Sequence, residues 1–179
     1  EFRFLQEPDT TAMKLNHKVH LKPNLEGPDG KRVQMKCSDC HEVDTTKDPQ
    51  ARYRNALITH EKHCQSCHKL GFDRQFPEDR APHKKPEEVR AFLANFYEQQ
   101  LREHPDIYQE SPVRVLPGPD GKRVMAQSGA DWYQMKLAAA EQQVFGKTCL
   151  ECHDWKFEAG VLPKAPPFKM RERYLKWGY

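Results

Sequence analysis

The stretch THEKHCQSCHKL, residues 59–70, sets His60, His63, Cys64, Cys67 and His68 within nine positions. Its centre, Cys64-Gln-Ser-Cys67-His68, has the CxxCH form. In that form two thiols bond covalently to the vinyl groups of a haem and the following histidine ligates the iron. The chain holds two more copies, Cys37-Ser-Asp-Cys40-His41 and Cys149-Leu-Glu-Cys152-His153, and the three motifs together use all six cysteines. No thiol is left for other work.

Three other uses of the cysteines compete. A disulfide-stapled fold leaves unexplained why histidine follows each pair. A four-thiolate zinc ribbon built from Cys37, Cys40, Cys64 and Cys67 has acceptable spacing but orphans Cys149 and Cys152. A thioredoxin-like redox pair needs an alternating strand and helix pattern, which the hydrophobic periodicity lacks. Covalent haem at three sites accounts for every cysteine and for each histidine that follows a pair.

Composition agrees with that reading. The chain of 179 residues is polar and rich in Pro and Lys, and its few aliphatic residues make a thin core. Three haems would supply the missing apolar mass. At about 60 residues per haem, most segments must lie against a porphyrin, so the expected fold is mostly α with much irregular loop and short hairpins. The net charge of +3 is offset by about −3 from three oxidised bis-histidine haems with their propionates, so nucleic acid is not an expected partner.

Organisation follows from turn and helix signals. Residues 1–16 read as extended and polar, the chain starts without Met as a processed secreted chain does, and no stretch is long or apolar enough to span a membrane. Gly-Pro-Asp-Gly-Lys-Arg-Val occurs at 27–33 and again at 118–124, a repeated tight reversal beside hairpin-forming Val and Leu. Two longer helices are predicted. One starts at Pro86 and runs to about Glu103, with Val89, Phe92, Leu93, Phe96 and Tyr97 on one face. The other runs over 131–146, through Trp132, Met135, Leu137, Ala138 to Ala140 and Val144, and stops at Gly146 before the third motif. The chain thus reads as one domain over 1–179: a two-haem part at 12–70, a helical insertion at 71–148, the third motif at 149–156 and a docking tail at 157–179 that ends RERYLKWGY.

Each motif supplies one axial ligand, His41, His68 or His153, and each iron needs a second. Six histidines remain for that role, His17, His20, His60, His63, His83 and His104, with the five methionines ranked below them. His60 and His63 cannot easily reach the iron of their own motif, because the thioether-bound segment lies along that porphyrin edge. If either is a ligand, it serves the third haem, which would fasten the C-terminal motif to the N-terminal pair. The order of preference for that third ligand is His63, then His83, then His60.

Asn16-His17-Lys18-Val19-His20-Leu21, followed by CxxCH at 37–41 and HxxHCxxCH at 60–68, resembles the class III multihaem cytochromes c, small polyhaem electron carriers of the c-three and c-seven type. The resemblance covers about residues 12–70 and resumes at 149–153. It implies that His17 caps the haem of His41 and His20 that of His68, and in three-haem members a histidine placed like His60 caps the last. A wider group of multihaem cytochromes is similar across HEKHCQSCHKLGFD and Pro82-His83, and this favours His63 and His83 over His60 and His104. Members of that group often continue into further haem motifs.

The function expected from motifs and resemblance is single-electron relay by an extracytoplasmic three-haem cytochrome c, with redox proteins, other cytochrome subunits or a membrane complex as partners. Haem is attached outside the cytoplasm, so the expected location is the periplasm or cell surface. The competing class is a multihaem reductase with an open iron at His153, overlain by Arg102, His104 and Tyr108. Filled axial positions argue against it, and no catalytic residue is assigned.

Overall fold

The computed structural model describes residues 13–42, 58–110, 113–114 and 123–164. Its backbone is mostly helical with irregular loops and two small two-stranded sheets. It divides into two compact units, one of residues 1–69 with 166–179 and one of residues 70–165. The insertion and the third motif thus lie together in the second unit. No helix among the described residues is long and apolar enough to cross a membrane.

In the first unit, short elements carry the histidines. Helix α1 (His17–His20) is capped by Asn16, whose Oδ1 accepts from Val19 N at 3.3 Å. Strands β1 (Leu25–Glu26) and β2 (Arg32–Val33) pair antiparallel, Leu25 opposite Val33 and Glu26 opposite Arg32. Between them lies the first copy of the repeated heptapeptide, reversing as its composition predicts. Gly30 takes φ +72°, a left-handed conformation that suits glycine. Helix α2 (His60–His63) starts at Thr59, whose hydroxyl accepts from Lys62 N at 3.3 Å. None of the described residues of this unit is buried. Leu15, Val19 and Leu21, around α1, are each more than 40% exposed.

The second unit has a core of its own. Helix α3 (Pro86–Glu103) has the predicted bounds, with proline in its first turn and Glu87 and Glu88 at the positive end of its dipole. It buries Val89, Leu93 and Tyr97, with Phe92 and Phe96 at the margin. Helix α4 (Ile107–Glu110) buries Ile107, and strands β3 (Val113–Arg114) and β4 (Arg123–Val124) form the second hairpin. Most of the second heptapeptide copy and the end of the tail lie outside the described residues. Helix α5 (Gly129–Gln143) packs on α3. Tyr97 meets Trp132 edge to face at 5.6 Å, and Phe72 meets Phe96 at 5.0 Å in the same manner.

Helix α5 departs from expectation at both ends. It starts two residues early because Ser128 is the cap, accepting from Asp131 N at 3.1 Å, while the Asp131 carboxylate accepts from Gln127 N at 2.9 Å. Its α-helical part ends at Gln143, and Val144–Thr148 continue as a π turn through Gly146. Gly146 is therefore not a left-handed cap. A Cβ there would lie 2.7 Å from Gln142 Nε2 and 3.1 Å from Phe157 Cδ1, so the glycine provides room for packing. The turn is closed by Thr148, whose hydroxyl donates to Gln143 O at 3.1 Å. The chain then enters Cys149 with no intervening loop.

Candidate metal centres

The three CxxCH motifs adopt one local geometry. In each, the carbonyl of the first cysteine accepts from the N–H of the second and of the histidine. The distances are 3.3 and 2.9 Å at Cys37, 3.1 and 2.8 Å at Cys64, and 3.2 and 2.8 Å at Cys149. This turn closes the backbone of each five-residue segment in the same way. At the first motif it is reinforced by Asp39, which accepts from Lys36 N at 2.8 Å.

All six cysteines are free of disulfides. Among the described residues, no three cysteines converge at metal-binding distance, as a zinc ribbon would require. Burial, with the neighbouring Cys152, pushes the Cys149 thiol up to about 11, and burial, then Asp39, also raises Cys40.

Each motif histidine has another histidine beside it. His17 lies 6.2 Å from His41 between ring centres, with planes 19° apart. His20 lies 6.1 Å from His68 at 53°, and His83 lies 6.0 Å from His153 at 17°. An iron between two imidazole nitrogens, with bonds of about 2.0 Å and about 1.1 Å from each nitrogen to its ring centre, sets those centres roughly 6.2 Å apart. The three pairs match that span, and no histidine serves twice.

The neighbour of His153 is His83, which sequence reasoning ranked second to His63. Both members of this pair belong to the second unit. Pro82 and Pro86 flank His83 just ahead of α3, and that local stiffness was the signal available in sequence. His63 and His60 have other contacts. The Nδ1 of His63 lies 3.1 Å from the Thr59 carbonyl, and the Nε2 of His60 lies 3.0 Å from the His68 carbonyl. His60 thus buttresses the backbone of a motif histidine. His63 is next to the ion pair of Lys62 with Glu42, whose carboxyl is held below the usual range chiefly by its hydrogen bond from Lys62.

The residues expected to overlie an open iron make local contacts. Arg102 Nη2 lies 3.7 Å from Glu98, His104 ends α3 by donating its backbone N–H to Gln100 O at 2.8 Å, and Tyr108 accepts from Gln109 Nε2 at 3.0 Å. The His83 ring lies 6.0 Å from that of His153. Comparisons with protein-family models, curated proteins and solved structures find no match to this chain.

Proposed function

We propose that the chain is a three-haem cytochrome c of the periplasm or cell surface, resembling class III, which passes single electrons between redox protein partners and is not an enzyme. The observation that carries this reading is the one-to-one pairing of His41, His68 and His153 with His17, His20 and His83 at 6.0 to 6.2 Å. The repeated CxxCH turn and the absence of a cysteine cluster among the described residues support it. So does the first unit, whose described residues bury no side chain of their own and leave Val19 and Leu21 open beside the paired rings.

Haem, when bound, supplies one-electron iron chemistry at a potential set by its axial ligands and surroundings. Here Cys37 and Cys40, Cys64 and Cys67, and Cys149 and Cys152 would form the thioethers. His41, His68 and His153 would be the proximal ligands, and His17, His20 and His83 the distal ones. Two histidines at one iron leave no position for a substrate, which restricts the chemistry to electron transfer, and they hold the potential low relative to a His and Met pair. The Nδ1 of His20 lies 2.9 Å from Asn16 O, the hydrogen bond that fixes an imidazole's rotation and strengthens it as a donor.

Electron paramagnetic resonance of the oxidised protein tests the reading. An imidazole donates π density into the iron d orbital perpendicular to its plane. Near-parallel rings act on one orbital and split the d pair widely, whereas rings at a large angle act on both and split it less. The expected spectrum is wholly low-spin, with two similar rhombic signals from the 19° and 17° pairs and a third of larger g anisotropy from the 53° pair. A high-spin signal equivalent to one iron would contradict the electron-carrier reading and favour a reductase.

A further inference from the structure

His153 differs from the other paired rings in what holds it. Its Nδ1 is buried and has no hydrogen-bond partner among the described residues. That position is where an imidazole ligand ordinarily donates to a carbonyl or carboxylate, fixing its rotation about the metal–nitrogen axis. Another contact occupies the ring instead. The indole of Trp155 lies with its centre 5.1 Å from that of His153 and its plane within 4° of the imidazole plane. Among the described residues, neither His41 nor His68 has an aromatic ring other than its paired histidine stacked against it.

The indole is itself anchored. Trp155 Nε1–H donates to the Phe145 carbonyl at 3.0 Å, and Phe145 is only 2% exposed, in the π turn that delivers Cys149. The turn that presents the motif thus also fixes the ring beside its histidine. Stacking resists rotation of the imidazole, since turning the ring out of parallel opens a gap or drives its edge into the indole face.

We infer that Trp155 is the positioning residue of the third site, holding the His153 ring plane, and with it the 17° angle to His83, in place of the absent Nδ1 hydrogen bond. This rests on the three-haem reading.

The test uses the mature, haem-loaded protein with Trp155→Leu and Trp155→Phe, each first weighed for three haems per chain. Trp155→Leu should move and broaden one of the three low-spin resonance signals and shift one of the three midpoint potentials, with the other two sites at their wild-type positions. Trp155→Phe keeps a ring without the donor to Phe145 and should broaden the same signal by less. Three haems with all signals and potentials unchanged in Trp155→Leu would overturn the positioning role. Should that variant fail to load haem, Trp155→Phe decides by the same criterion: a broadened signal supports the role and an unchanged one overturns it. Fewer than three haems in the wild-type protein is a different failure, that of the three-haem reading itself.

Discussion

Replacement of His83 by Ala converts one iron in three from low to high spin, while His63→Ala and His60→Ala leave all three low-spin. The expectation follows from the neighbour of His153, an imidazole at 6.0 Å whose plane is 17° from its own. Removing that ring opens one axial position, and a weak-field water ligand leaves the iron high-spin. The effect is all or none at one site, so a third of the low-spin signal is lost. The potential of that site should also rise, because the ferric state loses a strong donor. The His60 ring lies against the His68 carbonyl, and loss of that hydrogen bond costs about 1 kcal/mol of stability. Conversion to high spin in His63→Ala and not in His83→Ala would overturn the pairing within the second unit.

Asp73→Ala should destabilise the second unit by about 3–5 kcal/mol, against a typical domain stability of about 5–15. Asp73 Oδ2 accepts from Lys136 Nζ at 2.8 Å and from Tyr97 Oη at 2.9 Å. The side chains of Lys136 and Asp73 are only 8% and 13% exposed, so solvent cannot replace either partner. The ammonium also lies 5.6 Å from the centre of the Phe76 ring and 5.8 Å from that of Trp132, attractive contacts that do not neutralise it. Loss of the carboxylate leaves a buried, uncompensated cation. Thermal unfolding followed by far-ultraviolet circular dichroism should shift downward by roughly 10 °C. Asp73→Ala with Lys136→Met should recover most of the loss, since an apolar side chain of similar length replaces the cation. A single variant as stable as the wild type would show that the pair contributes nothing.

Tyr97 adds a pH dependence to the same cluster. Burial raises its pKa, and the charge and hydrogen bond of Asp73 raise it further above the ordinary 10.0. The folded state therefore holds the phenolic proton more tightly than the unfolded state. The corresponding stability is fully present below pH 10 and declines as pH rises above it. Tyr97→Phe should lose about 1 kcal/mol at neutral pH and flatten the alkaline limb.

Much of this arrangement was legible in sequence, and what was not has physical causes. Helix α3 was readable to the residue because Pro86, the acidic first turn and a clean apolar stripe agree. The first hairpin was readable from Pro28-Asp29-Gly30. The resemblance implied His17 beside His41 and His20 beside His68, and these rings lie 6.2 and 6.1 Å apart. The partner of His153 was harder, because its neighbour lies 70 positions away and depends on how α3 and α5 pack, which no local pattern encodes. Lys136 and Glu141 are buried although their side chains are charged. Asp73 meets the first, and Arg90 Nε lies 2.7 Å from Glu141 Oε1. Trp155 carried no signal in the sequence. Its importance lies in a ring stack and a carbonyl ten residues earlier.

The central claim is three covalent haems on this chain, and intact mass tests it most directly. The mature protein, denatured in acid to strip anything held without a covalent bond, should weigh the 21.0 kDa polypeptide plus three haems. After digestion, the peptides containing Cys37, Cys64 and Cys149 should each carry one haem, and no cysteine should react with a thiol reagent. A mass equal to the bare polypeptide, or to fewer than three haems with the remaining thiols reactive, would contradict it.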